Sequence, residues 1–241
     1  HLVKQGKTVV HYTLELNEAY VGLRYDTVFS GITTSNIKFH QEEVQKVIDG
    51  LKGKLIIKYY PTRSASVNTL AAHLKQMEIQ EIKPDVVIVD YADILKPTTF
   101  YKEKRHATGE TYENLRGMAG EFDIPIWTAS QANRSSLEEE VIDASKVSED
   151  YSKVMTADFV MSVSRKVEDK IANTGRVHVI KNRFGIDGIT FPAEINTNTG
   201  NIQVYEASTQ GGKSTQGKMD NSEEYLRQTL SKKYNDMGGF E

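Results

Sequence analysis

Two carboxylates follow strand-like apolar runs in this sequence. Asp90 ends the continuous run Val-Val-Ile-Val-Asp, and Glu15 follows a β-branched and aromatic run at residues 8–14. A carboxylate at the C-terminal end of a buried strand lies where α/β sheets bind ligands. Asp90 therefore has the form of a Walker B aspartate that helps to hold Mg²⁺ on a nucleotide, or it caps the next turn. Glu15 could polarise the water that attacks a γ-phosphate, or be a solvated acid at a helix N-terminus.

Amide and basic side chains accompany two later strand-like runs. Gln131 and Arg134 belong to Ser-Gln-Ala-Asn-Arg, which follows the run at residues 125–129. An amide at this edge could sense a γ-phosphate, and an ordinary turn is the other interpretation. Lys181 and Arg183 are two positions apart in a predicted strand, so they point to the same face. Such a pair suits a phosphate contact, or it is a solvated strand face.

The elements that must position these side chains alternate along the chain. Strands are predicted at residues 8–14, 55–60, 86–90, 125–129, 159–164, 176–183, 189–191 and 202–205. Helices are predicted at residues 17–29 with Asn17 as N-cap, at 36–51 up to Gly53, after Ser66 or Asn68, and at 110–122. This alternation predicts an α/β fold with a doubly wound, mainly parallel sheet and a terminal antiparallel pair. Residues 96–109 and 135–153 are polar without a clear period, so we expect loops there.

Composition limits the classes of protein that this chain can represent. Its 241 residues, 38% hydrophobic and 26% charged, are sufficient for one large soluble α/β domain. No apolar run approaches the roughly 20 residues of a membrane span, and the absence of cysteine excludes disulfides and thiolate metal sites. The net charge of -3 argues against a basic DNA-coating protein, although a channel lined by a few cations remains compatible with it.

The order of these motifs resembles the motor domain of DnaB-type replicative DNA helicases, especially those of tailed phages. Residues 12–16, Tyr-Thr-Leu-Glu-Leu, resemble the family's Ser-Leu-Glu-Met segment, and residues 86–91 resemble its Walker B segment. Residues 130–134 and 181–185 are similar to its Ser-Gln-Leu-Asn-Arg and Lys-x-Arg-x-Gly segments. The resemblance covers residues 1–206 and implies a RecA-like fold. Residues 207–241 are expected to be a flexible linker and a tail that could form a short helix.

The resemblance implies a role for each candidate residue. Glu15 would be the catalytic base or water-orienting acid, and Asp90 would bind Mg²⁺ through water. Gln131 would couple the state of the γ-phosphate to the DNA-binding loops. Lys181 and Arg183 would reach the nucleotide of the neighbouring subunit, as an arginine finger supplied in trans.

The resemblance also implies partners. The complete protein would be a homo-oligomer, a hexameric ring that uses ATP and Mg²⁺ on single-stranded DNA, with a primase and a helicase loader as further partners, in the cytoplasm of a phage-infected bacterium. Residues 96–109 and 135–153 would line the central channel. The second segment is acidic, and its cations are Lys146 and Lys153. Arg134, just before it, would contact the nucleotide.

Two other functions fit the same residues. The chain could be a RecA-like recombinase or a regulatory ATPase without unwinding activity, or a non-catalytic interaction domain. The Lys-x-Arg-x-Gly and Ser-Gln-Ala-Asn-Arg segments favour the helicase over the recombinase. The presence of Glu15, Gln131 and Arg183 argues against the non-catalytic domain.

A phosphate-binding loop of the form G-x-x-x-x-G-K-[ST] is expected upstream of His1, where the family carries it. Gly212-Lys213-Ser214 matches only the end of this motif, because Ala207 stands at the position of the first glycine. We therefore predict that the upstream sequence encodes a strand, this loop and a helix leading into His1. We also predict that the 241 residues alone do not hydrolyse ATP appreciably. Turnover by these residues that is lost on Asp90→Ala would contradict this prediction.

Overall fold

The structure is a computed structural model that describes residues 1–99, 104–132, 139, 141–144 and 151–206. The strands of this part form two four-stranded sheets. The first is parallel, has the order β2-β1-β3-β4, and consists of β1 (Thr8–Thr13), β2 (Lys54–Tyr59), β3 (Val86–Asp90) and β4 (Ile126–Thr128). The second is antiparallel and consists of β5 (Phe159–Ser164), β6 (Thr174–Asn182), β7 (Thr190–Asn196) and β8 (Asn201–Val204).

The helices connect the parallel strands and lead into the second sheet. They are α1 (Glu18–Ser30), α2 (Gln41–Asp49), α3 (Val67–Ile79), α4 (Lys104–Phe122), α5 (Ser152–Thr156) and α6 (Val167–Ala172), with short 3₁₀ turns at Val3–Gln5, Ile37–Phe39 and Ala92–Ile94. This architecture confirms the predicted α/β fold. The antiparallel part is larger than the predicted terminal pair, because it already begins at β5. No helix in the described ranges has the length and apolar character needed to cross a membrane.

The parallel sheet has a hydrophobic core on each face. Along β1, alternate side chains point to opposite faces. Val10, Tyr12 and Leu14 are fully buried in the larger core, which residues of α3 and α4 complete. Val9 belongs to the second core, together with Phe29 of α1 and residues of α2. Burial on both faces explains why β1 and β3 are continuous apolar runs rather than alternating ones.

Side-chain caps set the start of two helices as the sequence predicted. The Asn17 side chain accepts a hydrogen bond from the Tyr20 N–H at 3.0 Å, so α1 begins at Glu18. Ser66, not Asn68, caps α3 in a capping box with Thr69. Each cap satisfies backbone donors that have no partner inside the helix.

Two predicted helix boundaries were wrong. The helix expected at residues 36–51 is interrupted at His40, whose backbone leaves the helical region (φ -125°, ψ 31°), and α2 ends at Gly50. The stretch at residues 104–109 was expected to be a loop, but α4 already begins at Lys104. Ala107 is buried and its carbonyl accepts from the Thr111 hydroxyl at 2.9 Å. The sequence pattern did not predict this first turn because the buried face of the helix contains threonines, Thr108 and Thr111, rather than large apolar residues.

Part of the sequence-based predictions falls outside the described residues. This concerns the linker and tail at residues 207–241, most of the segment at 135–153, and the side chains of Arg134 and Lys146.

Two apolar residues of α3 provide a matched test of the packing. Leu74 is 1% exposed in the larger core, whereas Ile79 at the end of the same helix is 83% exposed. We expect Leu74→Ala to lower the free energy of unfolding by about 2–5 kcal/mol, since it removes buried methyl groups and leaves a cavity. We expect Ile79→Ala to change it little. Denaturant unfolding of the complete domain measures both, and equal effects would contradict the assigned core.

Candidate functional site

The parallel register brings Glu15 and Asp90 to the same edge of the sheet. β1 pairs with β3 so that Thr13 lies opposite Asp90. The Leu14 N–H then donates a hydrogen bond to the Asp90 carbonyl at 2.9 Å. Glu15, the next residue, is exposed at this edge. Two acids that are 75 positions apart in the sequence thus end neighbouring strands on the side where α/β sheets bind ligands.

The end of β4 is tied to the same edge. The Thr128 hydroxyl donates to the Val89 carbonyl at 2.9 Å and accepts from the Ala92 N–H at 3.0 Å. Gln131, three residues later, is exposed, and its amide nitrogen lies 3.4 Å from the Tyr91 hydroxyl. Glu15, Asp90 and Gln131 therefore all follow or end neighbouring strands at the same edge of the sheet, and Gln131 lies close to the residue that follows Asp90.

Asp90 has a buried histidine beneath it that the sequence analysis missed. His11 Nε2 lies 4.0 Å from Asp90 Oδ2, and its Nδ1 is 2.8 Å from the Tyr25 hydroxyl. Burial lowers the pKa of His11 more than the Asp90 carboxylate raises it, so the ring is neutral at neutral pH. Asp90 itself keeps 38% of its side chain exposed, which leaves the carboxylate accessible to a ligand. A single histidine in an apolar strand carries no sequence signal for this position.

Asp93, three residues after Asp90, has a different environment. It accepts hydrogen bonds from the Tyr112 hydroxyl at 2.8 Å, from Lys153 Nζ at 2.7 Å and from the Ser130 hydroxyl at 3.1 Å. The side chains of Lys153 and Asp93 are only 3% and 10% exposed. Residues 135–153 were expected to form a loop, but Lys153 at the end of this range lies in the helix α5. Its ammonium group lies in the interior, where a carboxylate compensates the buried charge.

Lys181 and Arg183 both contact the segment between α4 and β5. Lys181 Nζ donates to the carbonyls of Val154 and Met155 at 2.9 and 2.7 Å, and Arg183 Nε lies 3.1 Å from Asp158 Oδ1. The two cations therefore lie on one side, as their spacing predicted. Desolvation, followed by the neighbouring Arg183, lowers the pKa of Lys181.

Within the described residues, the contacts of Lys181 and Arg183 do not include Glu15 or Asp90. The predicted site therefore has two parts in this chain. One is the sheet edge with Glu15, Asp90 and Gln131. The other is the C-terminal end of β6, where Lys181 lies in the strand and Arg183 directly follows it. Arg134, the remaining predicted residue, lies outside the described residues.

The chain thus forms an α/β domain with acids at the C-terminal ends of two adjacent parallel strands. The family model of the DnaB-like helicase C-terminal domain matches residues 1–196. This match covers most of the chain, so the chain belongs to the DnaB-like helicase C-terminal domain family. The resemblance inferred from the motifs is confirmed.

Individual relatives agree with this assignment. The chain is 28% identical over 192 residues to the DnaB-like replicative helicase of Enterobacteria phage T4, a match that covers 75% of this chain and 40% of that protein. The chain thus spans less than half the length of this relative. Among solved structures, an isolated ATPase domain matches with a TM-score of 0.72 at 19% identity, over 85% of this chain and 77% of that chain. A DnaB-like replicative helicase, solved in a study of its interactions with primase, matches with the same TM-score and identity over 52% of its chain. At such identities, these structures establish the fold.

The buried ion pair provides a stability test with a matched control. Lys153→Met leaves the Asp93 carboxylate buried without its counter-charge, which costs about 3–5 kcal/mol in comparable pairs. Lys75→Met removes a lysine whose pair with Glu121 is equally short, at 2.7 Å, but largely exposed. We expect Lys153→Met alone to lower the free energy of unfolding strongly, measured by denaturant unfolding. Similar behaviour of both variants would contradict the buried position of Lys153.

Proposed function

We propose that this chain is the ATP-driven motor of a replicative DNA helicase, which hydrolyses ATP at subunit interfaces, translocates on single-stranded DNA and unwinds duplex DNA. The observation that carries the proposal is the convergence of Glu15, Asp90 and Gln131 on one edge of the parallel sheet. Membership of the DnaB-like helicase family supports it. The proposal concerns the complete protein, because the chain spans 40% of its phage relative.

Asp90 fits a Mg²⁺ ion held through water. Mg²⁺ prefers oxygen ligands, keeps several of its waters, and is commonly bound by one or two carboxylates together with nucleotide phosphates. The partly exposed Asp90 carboxylate offers such an oxygen, and His11 beneath it is neutral and does not compete as a cation. When bound, the ion would neutralise charge on the β- and γ-phosphates.

Glu15 and Gln131 would act on the attacking water and the γ-phosphate. Glu15 is exposed at the edge, where its carboxylate would accept a proton from the water or orient it. Gln131 would sense whether the γ-phosphate is present, and it would couple this state to the residues that follow it in the chain. The Gln131 amide lies close to the Tyr91 hydroxyl, so a movement of the Gln131 side chain would also affect the C-terminal end of β3, where Asp90 lies. Arg134, in the same motif, would contact the nucleotide.

Lys181 and Arg183 would serve the site of a neighbouring subunit. Arg183 is 43% exposed, and its ion pair with Asp158 is of the weak surface kind that can exchange for a phosphate contact. A guanidinium group supplied in trans stabilises the charge that develops during phosphoryl transfer. The absence of contacts to the chain's own Glu15 and Asp90, within the described residues, is compatible with this arrangement.

The phosphates would be held by a strand, a glycine-rich loop and a helix encoded upstream of His1. Within the described residues, β4 pairs with β3 alone and β5 pairs with β6 alone. Between these strands Trp127 meets Phe159, and both rings, together with Met161, are 39–46% exposed. This apolar surface could be covered by an additional strand and helix, which would set the loop beside β4. The hypothesis places the phosphate loop next to Gln131.

Further parts of the proposal concern the assembly. A neighbouring subunit is needed if Arg183 acts in trans. We propose that the subunits form a hexameric ring and that single-stranded DNA passes through its centre. A primase is a proposed partner because one structural relative was studied with primase. A helicase loader and a location in the cytoplasm of an infected bacterium are proposed from the similarity to a phage protein.

Mixed rings test the trans arrangement. In the complete protein, Glu15→Gln should retain nucleotide binding while losing hydrolysis, because only the basic carboxylate is removed. Arg183→Ala should lower kcat by about 10³–10⁵, the range for such fingers. Rings that contain both variants pair an intact Glu15 with an intact Arg183 at some interfaces, so ATPase activity should partly return. Steady-state ATP hydrolysis with single-stranded DNA measures this.

A matched control distinguishes the loss of the Arg183 finger from a general destabilisation of β6. Arg176→Ala removes an arginine inside β6, which is paired with Asp169 at 2.7 Å, and should leave turnover nearly unchanged. Full activity of Arg183→Ala alone would contradict its role. Strand separation on forked DNA then distinguishes the helicase from a recombinase, which would bind the strands without opening the fork.

A further inference from the structure

The buried cluster around Asp93 lies directly behind the candidate nucleotide edge. Asp93 belongs to the 3₁₀ turn that follows Asp90, and Ser130 immediately precedes Gln131. Lys153 Nζ donates to both, at 2.7 Å to Asp93 and 3.0 Å to Ser130. One ammonium group thereby links the ends of β3 and β4, one residue away from the proposed γ-phosphate sensor.

Tyr112 of α4 completes this cluster. Its hydroxyl donates to Asp93 Oδ1 at 2.8 Å, and Lys153 Nζ lies 5.7 Å from its ring centroid. Burial and the adjacent Asp93 carboxylate raise the pKa of Tyr112, so the hydroxyl stays protonated and remains a donor. All three side chains are therefore held in one geometry by charge-assisted hydrogen bonds.

The short helix α5, which contains Lys153, and the residues directly after it also contact the second part of the site, Lys181 and Arg183. The carbonyls of Val154 and Met155 accept both hydrogen bonds from Lys181. Asp158, two residues after α5, is the ion-pair partner of Arg183, and its carbonyl accepts from the Arg183 N–H at 2.9 Å. A displacement of α5 would therefore move Lys181 and Arg183 as well.

We infer that Lys153 is a positioning residue that couples the two parts of the site, with α5 as the connecting element. When Gln131 responds to a γ-phosphate, Ser130 moves with it, and Lys153 transmits this movement to α5 and hence to the cations presented to the neighbouring subunit. The inference rests on the proposed function, because it assigns a route between the nucleotide edge and the trans finger. Energetic coupling between two sites can be carried by chains of hydrogen-bonded and ion-paired side chains, and these contacts form such a chain.

The competing explanation is that Lys153 only stabilises the fold. Replacing both members of the Lys153–Asp93 ion pair distinguishes this explanation from coupling. A buried ion pair can often be replaced by neutral groups of similar size without loss of stability. Asp93→Asn keeps an acceptor for the Tyr112 hydroxyl and replaces the oxygen that faces Ser130 by an NH2 group, which can donate to the Ser130 hydroxyl. Lys153→Met keeps the length of the side chain. The double variant should therefore fold even where either single variant does not. It lacks the charged link between α5 and the strand ends.

The experiment compares wild type, the double variant Asp93→Asn/Lys153→Met and the exposed control Lys75→Met, all as complete, ring-forming proteins. Thermal unfolding first establishes that the double variant folds. We then expect its kcat for ATP with single-stranded DNA to fall about 10- to 100-fold, as for other displaced catalytic groups. The KM for ATP should change less than about twofold, because Asp90 and the phosphate-binding groups are untouched. The control should match wild type in both parameters.

The outcomes separate the inference from the proposed function. A folded double variant with the kcat of wild type overturns the inference and leaves the proposed function intact. A rise in KM with unchanged kcat overturns it too, because that result assigns the pair to substrate binding. If wild type shows no hydrolysis that depends on Asp90, the proposed function fails and the inference falls with it.

Discussion

The parallel pairing of β1 with β3 is the constraint on which the site depends. It sets Thr13 opposite Asp90, and the Leu14 N–H continues the pairing to the Asp90 carbonyl. A shift of one residue would turn the buried side chains of β1 to the other face, so the two cores of the sheet fix this register. The register in turn places Glu15 beside the end of β3. The candidate chemistry at this edge is thus a consequence of how the apolar strands pack.

Asp90 at the end of β3 and Asp93 in the turn that follows have different environments. Asp90 keeps 38% of its side chain exposed above a neutral histidine, whereas Asp93 is 10% exposed and paired with Lys153. A buried carboxylate without a counter-charge would be costly, so Asp93 is bound to partners inside the chain. Asp90 remains available for a ligand. The two positions therefore differ in what they offer: one carboxylate is accessible, and we propose that it binds the metal ion, whereas the other is buried and paired with Lys153 of α5.

The sequence predicted those features that depend on local patterns. The apolar strands, the caps at Asn17 and Ser66, and the acids at strand ends followed from residue type and spacing, and the family assignment followed from the order of motifs. Features set by tertiary contacts were missed. Residues 135–153 were expected to be a loop because they are polar without a clear period, but Lys153 lies in α5 and is buried beside Asp93, which is 60 positions away. The first turn of α4 was missed because its buried face contains alanine and threonine rather than large apolar residues.

The central claim is that ATP binds at the edge formed by Glu15, Asp90 and Gln131. A structure of the complete domain with Mg²⁺ and a non-hydrolysable ATP analogue tests it most directly. We expect the metal ion beside the Asp90 carboxylate, the γ-phosphate facing Glu15 and Gln131, and Arg183 of a neighbouring subunit approaching the same phosphate. A nucleotide bound elsewhere, with Asp90 contacting neither the metal nor its waters, would contradict the account.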